Sequence, residues 1–336
     1  MATIRDVAKL AGVGIGTVSR VLSGKGAVSS KTLLKVNQAM EDLNFTPSSA
    51  ARSLVSKKMN TIGIWGTETS GEINRRTLRE MEDELKEFEI HLIFADGELN
   101  SKRNPNASRD SFDSLINKGC DGIIIWGTDL PPREILQIEN EFPNIALLNN
   151  QIELIDDKCF YFDHYQAGYA CGQHLIDKGH SNIACITGWL ETYDGNQRHQ
   201  GFLDALNTNN VNMPEDLIFE GDYTYRKGYE GALSLLKQDQ PFTALFCGND
   251  QSAMSAISAI TNNGLQVPND ISVIGYDDMN IARYTSPPLT TVRIPFNRMA
   301  VSATRRLLNL CYNLELDINY DFPVQLIERQ SVKNIG

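Results

Sequence analysis

The spacing of apolar residues changes near residue 60. Before it they recur at helical intervals, and after it they gather into short unbroken runs. In "TIRDVAKLAG", Ile4, Val7, Ala8 and Ala11 share one helical face, and Thr3 and Asp6 have the spacing of a capping box. Gly12 suits the left-handed conformation that ends many helices. "GTVSRVLS" starts a second helix with Val18, Val21 and Leu22 on one side. "SSKTLLKVNQAMEDLNF" predicts a third, capped by Ser29 or Ser30, with Leu33, Leu34, Val36, Ala39, Met40 and Leu43 closing a miniature core. Pro47 ends that helix or begins the next segment. The following "SSAARSLVSKK" offers about nine helical residues, too few for a stable isolated helix in water. It is expected to order only when other molecules hold it.

Beyond residue 60, apolar runs appear at "TIGIWG", "HLIFAD", "GIIIWG", "NIALLNN", "CFYFDH", "NIACITG", "DLIFEGD", "ALFCGND", "ISVIGYDD" and "LTTVRI". Amphipathic stretches long enough for helices separate most of them. Strands without polar alternation, alternating with helices, imply parallel sheets covered on both faces. So many units in one chain suit two doubly wound lobes, so the fold class is an all-α head followed by an α/β core. Ligands of such folds bind outside the carboxyl ends of the strands. Polar residues gather at those ends: Asn149 and Asn150, Asp163, Asn249 and Asp250, Asp277 and Asp278.

The glycines in "AGVGIGTVS" raise the question of a phosphate loop. A G-x-G-x-x-G pattern from Gly12 or Gly14 needs glycine at 17 or 19, where Thr17 and Ser19 stand. What precedes is a helix rather than a strand, so helix, glycine-bearing turn and helix form a helix-turn-helix. Charge agrees. Residues 1–60 hold nine basic and three acidic side chains, a net of +6 in a chain of net −11, which leaves −17 for the rest. A basic head on an acidic body is the footprint of a nucleic-acid-binding head on a regulatory domain.

Composition excludes other classes. No apolar run approaches the roughly 18 residues of a membrane span, and the N-terminus has no apolar signal core, so a cytoplasmic location is expected. Six scattered cysteines (120, 159, 171, 185, 247, 311) show no metal spacing and read as buried thiols. No G-x-S-x-G, H-E-x-x-H or phosphate loop occurs, so no enzyme chemistry and no cofactor or metal is expected. Asp277 and Asp278 are neighbours whose side chains point to opposite faces of a strand, so they do not form an acid–base pair.

"TIRDVAKLAGVGIGTVSRVLSG", "LNFTPSSAARSL", "GNDQSAM", "DISVIGYDDM" and "SPPLTTVRIPF", in this order over residues 2 to about 332, resemble the lactose/galactose repressor family of bacterial transcription factors. The resemblance implies a head over residues 1–46, a hinge over 47–60 and a periplasmic-binding-protein-like core. One lobe would comprise 61–161 and 293–321, the other 162–292 and 322–332, with crossovers near Tyr161–Asp163, Thr291–Arg293 and Phe322–Val324. It places Thr3, Ile15, Gly16, Thr17, Ser19 and Arg20 on DNA. Of these, Ile15, Gly16 and Arg20 meet base edges, and Thr17 and Ser19 reach phosphates. Gly14 stands where the family usually has serine or alanine, which predicts a looser start to this helix. In the hinge, Leu54 would wedge into the minor groove beside Ala51 and Val55, and Ser48 replaces the family's usual asparagine.

For the effector the resemblance points to Arg198 in "NQRHQGF", Asn249, Asp277, Asn149, Asp163, Tyr223 and Phe296. Carboxylates, amides and an arginine beside an aromatic face suit a mono- or disaccharide. A purine would call for aromatic residues early in the first lobe, and "GTETSGEINRR" has none. The expected protein is a homodimeric repressor on a pseudopalindromic operator, controlled by a small sugar. The alternative is a regulator of the same family that answers to a non-sugar small molecule or a protein corepressor.

Overall fold

The computed structural model describes residues 2–23, 28–45, 58–66, 71–97, 105–127 and 130–336. Helix α1 (Ile4–Ala11) opens on a complete capping box. The Asp6 N–H donates to the Thr3 hydroxyl at 3.4 Å, and the Thr3 N–H donates to the Asp6 carboxylate at 2.8 Å. Gly12 closes the helix at φ +68°. Helices α2 (Ile15–Ser23) and α3 (Ser30–Asp42) follow, and Ser29 caps α3 through its hydroxyl. Val7, Ala8, Ala11, Val18, Val36 and Ala39 form the buried core of the head. Leu33 and Leu34 do not join it: they are 42% and 69% exposed. The buried stripe of α3 runs through Val36 and Ala39. At about 100° per residue, Leu34 lies roughly 200° away on the opposite face.

Each of the ten apolar runs holds one strand. The first sheet comprises β1 (Thr61–Gly66), β2 (His91–Asp96), β3 (Gly122–Trp126), β4 (Ile145–Leu148) and β5 (Cys159–Phe160), ordered β2-β1-β3-β4-β5 and parallel throughout. Between them run α4 (Glu72–Lys86), α5 (Pro105–Asn117) and α6 (Pro132–Glu141). Period-two geometry divides each strand between two cores. Ile124 and Trp126 of β3 pack on one face, Ile123 and Ile125 on the other. That is why the run "GIIIW" shows no polar alternation.

From β5 the chain passes through Tyr161–Asp163 into α7 (His164–Asp177), β6 (Ile183–Ile186), α8 (Tyr193–Thr208), β7 (Ile218–Phe219), α9 (Tyr225–Leu235), β8 (Ala244–Cys247), α10 (Asp250–Asn262) and β9 (Ser272–Ile274). The second sheet has the order β7-β6-β8-β9. Strand β10 (Thr291–Arg293) leads back to α11 (Phe296–Tyr312), which packs on α4 and on strands of the first sheet. Strand β11 (Gln325–Ile327) pairs antiparallel with β10, and the Val273 N–H then donates to the Ser331 carbonyl beside the second sheet. No helix among the described residues is long and apolar enough to cross a membrane.

Candidate functional site

The carboxyl ends of the two parallel sheets enclose a cleft of about 450 Å3, lined from both lobes. This falls in the roughly 300–1,000 Å3 range of small-molecule sites. On the first lobe β4 ends at Leu148, and Asn149 follows at φ +62°, a left-handed conformation that asparagine tolerates better than most residues. Its side-chain oxygen lies 2.7 Å from His164 Nε2, so the ring must donate there. His164 Nδ1, 3.3 Å from the Tyr276 hydroxyl, then accepts. Burial keeps this imidazole neutral and pushes its pKa down to about 3.

On the second lobe Thr192 caps α8, Asp194 lies in its first turn, and Arg198 one turn later pairs with Asp194 at 3.3 Å. Arg198 also donates to the Gly248 carbonyl, and its guanidinium lies 3.8 Å from the Tyr276 ring centroid and 5.3 Å from that of Tyr223. Tyr223 is held at φ +67°, edge-on to Trp189 with ring centroids 5.7 Å apart. It needs Gly188 beneath it: a Cβ there would lie 1.8 Å from the Tyr223 ring. Asn249 caps α10 by accepting the Ser252 N–H at 2.9 Å, and its amide donates to the Tyr223 carbonyl at 2.9 Å.

The adjacent carboxylates separate, but not by strand alternation: both lie beyond the end of β9 at positive φ, +112° for Asp277 and +52° for Asp278. Asp278 is buried in ion pairs with Arg293 and Arg329. Burial opposes its charge, but the two arginines outweigh burial and hold its carboxyl below the usual range. Asp277, at φ +112°, lines the cleft, and its carboxylate makes no hydrogen bond or ion pair among the described residues. Burial pushes its pKa up to about 7, against the pull of Arg198. Arg198 Nε and the Tyr223 hydroxyl are likewise enclosed without hydrogen-bond partners among the described residues.

Asn149, Arg198, Tyr223, Asn249, Asp277 and Phe296 therefore line one cleft, with Phe296 facing Trp126 at 5.7 Å on the first-lobe side. Asp163 does not. It is exposed and spends its carboxylate capping α7 on the Gln166 N–H at 2.8 Å, while the next residue, His164, enters the cleft. Sequence reasoning missed His164, Trp189 and Asp194. Only Asp194 had a readable signal, four residues before Arg198 on one helix.

His164 supports a pH prediction. Its folded pKa of about 3 lies below the ordinary 6.5, so its contribution to stability is complete above about pH 6.5 and is lost as pH falls toward 3. His164→Phe keeps the ring and should flatten that part of the stability–pH curve. At pH 7.5 it should cost about 1–3 kcal/mol, read as a lower urea midpoint at unchanged slope, because it leaves a buried hydrogen-bonding group unpaired. An unchanged pH profile would remove His164 from this account.

In the head, Ile15 is 47% exposed at the start of α2, Gly16 and Arg20 are exposed, and Thr17 and Ser19 are half-buried beside the buried Val18. Thr3 is exposed at the cap of α1. Arg5, Lys9, Lys31 and Lys35 are exposed as well, so the basic charge of the head lies at its surface. The hinge residues Ser48, Ala51, Leu54 and Val55 lie outside the described residues.

Comparison with known proteins finds two family models along the chain. Residues 3–48 match the model of bacterial regulatory proteins of the lacI family, and residues 173–332 match a periplasmic binding protein-like domain. The HTH-type transcriptional repressor PurR of Photorhabdus laumondii is 35% identical over 99% of this chain and 97% of its own. Among solved structures, the lac repressor dimer bound to operator and the anti-inducer ONPF superposes with a TM-score of 0.86 at 28% identity, covering 99% of each chain. A complex of the transcriptional regulator CelR with cellobiose gives 0.70 at 25% identity, covering 98% of this chain and 100% of that one. With a lacI-type head, a periplasmic-binding-protein-like core and relatives matched along nearly their whole length, the chain belongs to the lacI family of bacterial regulatory proteins.

Proposed function

We propose that this regulator is a transcriptional repressor that binds a pseudopalindromic operator as a homodimer, and that a small saccharide in the cleft sets its operator affinity. The observation that carries the effector reading is one cleft that brings together the Asp277 carboxylate with the unpaired Arg198 Nε and Tyr223 hydroxyl. Sugar hydroxyls can donate to the carboxylate and accept from the arginine, while Tyr223, Trp189 and Phe296 offer aromatic surface to the apolar face of a ring. On DNA, Arg20 supplies a bidentate donor for guanine and Ile15 an apolar contact, and Thr17 and Ser19 hold phosphates. Thr3 orients the first helix, and Leu54 opens a base step with Ala51, Val55 and Ser48 beside it.

A planar heterocycle is the competing effector. Trp126 and Phe296 give it aromatic surface, and two relatives named PurR share 35% identity with this chain. The lining residues at the start of α4 are Gly71, Glu72, Ile73 and Asn74, without a ring to close a stack, which favours the saccharide. Full-length protein should be titrated on a duplex selected from a random pseudopalindromic pool, with mono- and disaccharides and with purine bases. A saccharide is expected to shift operator affinity. A shift with a purine base and none with any saccharide would reverse the assignment. In the same assay Leu54→Ala should weaken operator binding and leave saccharide affinity unchanged, and retention of wild-type affinity and DNA bending would remove the wedge.

A further inference from the structure

We infer that the cleft selects an unphosphorylated saccharide, admitting neutral and amino sugars and rejecting phosphate esters. This inference rests on the saccharide reading above. Among the described residues, the charged side chains lining the cleft are Glu72, Asp194, Asp222 and Asp277 against Arg198 alone. The imidazole of His164 adds no charge, since burial keeps it neutral.

Arg198 is also poorly placed to clamp a phosphate. Binding a phosphate in a fork needs two free parallel N–H groups. Here one terminal nitrogen donates to the Gly248 carbonyl, the other pairs with Asp194, and the plane of the guanidinium is taken by the Tyr276 ring. Nε has no partner among the described residues, and the charge of the guanidinium is already balanced by Asp194.

Helix N-termini are the other common phosphate holders, and those of α4, α7, α8, α9, α10 and α11 border this cleft. Asp163 caps α7, and α8, α9 and α10 are likewise occupied by their own side chains, whereas Gly71 and Pro295 give α4 and α11 no side-chain cap. The Thr192 hydroxyl accepts the Gly195 N–H at 3.3 Å, that of Thr224 accepts the Lys227 N–H at 3.2 Å, and Asn249 accepts the Ser252 N–H at 2.9 Å. Asp194 adds a carboxylate to the first turn of α8, which opposes the positive end of the dipole. Glu72 does the same at the start of α4, where its carboxylate accepts the Asn280 N–H at 2.9 Å. A phosphate ester, carrying about −1.5 to −2 at neutral pH, would meet no counter-charge beyond Arg198, which is already paired with Asp194, and would lie beside Asp277.

The test measures dissociation constants of the full-length protein by calorimetry for glucose, galactose, cellobiose, glucosamine, glucose 6-phosphate and galactose 6-phosphate, each at low and high salt. A neutral sugar is expected to bind. Its phosphate ester should bind at least about 100-fold more weakly at low salt, with the gap narrowing as salt screens the carboxylates. Asp222→Asn, which keeps an acceptor for Thr224, should narrow the gap about tenfold. A phosphate ester that binds as tightly as its parent sugar overturns this inference and leaves the saccharide reading standing. Binding by none of the six overturns the saccharide reading itself.

Discussion

Arg198→Ala should leave a repressor that binds operator and no longer responds to its effector at wild-type concentrations. The side chain reaches the cleft from the second turn of α8, and Nε has no partner among the described residues. Removing the donor leaves a ligand oxygen unpaired in a closed site, at about 1.5–3 kcal/mol for a charge-assisted bond. That equals roughly a 10- to 150-fold loss of effector affinity, since 1.4 kcal/mol is about tenfold. The arginine also has structural partners, Asp194 and the Gly248 carbonyl, so the variant should melt earlier as well. Asp277→Asn separates the two effects. The Asp277 carboxylate has no structural partner among the described residues, and burial raises its pKa to about 7. Its charged form therefore weakens the folded state, and stability from this group is lost as pH rises from about 4 through 7. The amide should weaken effector binding while leaving the free protein equally or more stable above neutral pH. Operator titrations with and without effector, beside melts of both variants, give the comparison. A variant of either kind that responds at the wild-type effector concentration removes that residue from the site.

Gly168→Ala should destabilise the core, against what helix propensity predicts. In an unconstrained helix interior the substitution gains about 1 kcal/mol. Here α7 crosses α8 backbone to backbone, and a Cβ at Gly168 would lie 2.0 Å from the carbonyl oxygen of Arg198 itself. Neither helix can absorb this by turning a side chain, so they must separate. Overpacking of this kind costs typically 1–3 kcal/mol and here should exceed that range. The displaced backbone carries Arg198, so effector affinity should fall with stability. Chemical denaturation of wild type and variant checks the sign. A stabilised Gly168→Ala would show that the helices are not in backbone contact at this point.

Both predictions depend on contacts between residues far apart in sequence, and the boundary of legibility falls there. The capping box of Thr3 and Asp6, the left-handed Gly12 and the ten strands were readable because each follows from neighbours within one turn or one strand. The wrong placement of Leu33 and Leu34 shows the limit even at short range. A three-helix head has one buried stripe per helix, and only packing selects which apolar residues it takes.

In the cleft the same rule separates Asp163 from His164. Both stand at a strand-to-helix junction, and the carboxylate looked the better ligand. Once α7 is docked, Asp163 caps it from outside and His164 is enclosed between Asn149 and Tyr276. Strand alternation does not separate Asp277 from Asp278, which both lie beyond β9 at positive φ. It took Arg293 and Arg329, reaching in from distant segments, to make Asp278 structural and leave Asp277 unpaired. The sequence by itself determined the head, the two lobes and the supply of polar groups at strand ends, because local periodicity, capping and charge are properties of consecutive residues. The tertiary structure alone decided which of those groups share one cleft and which are already bonded there, because desolvation and hydrogen-bond partners are set by whatever the fold brings within a few ångströms.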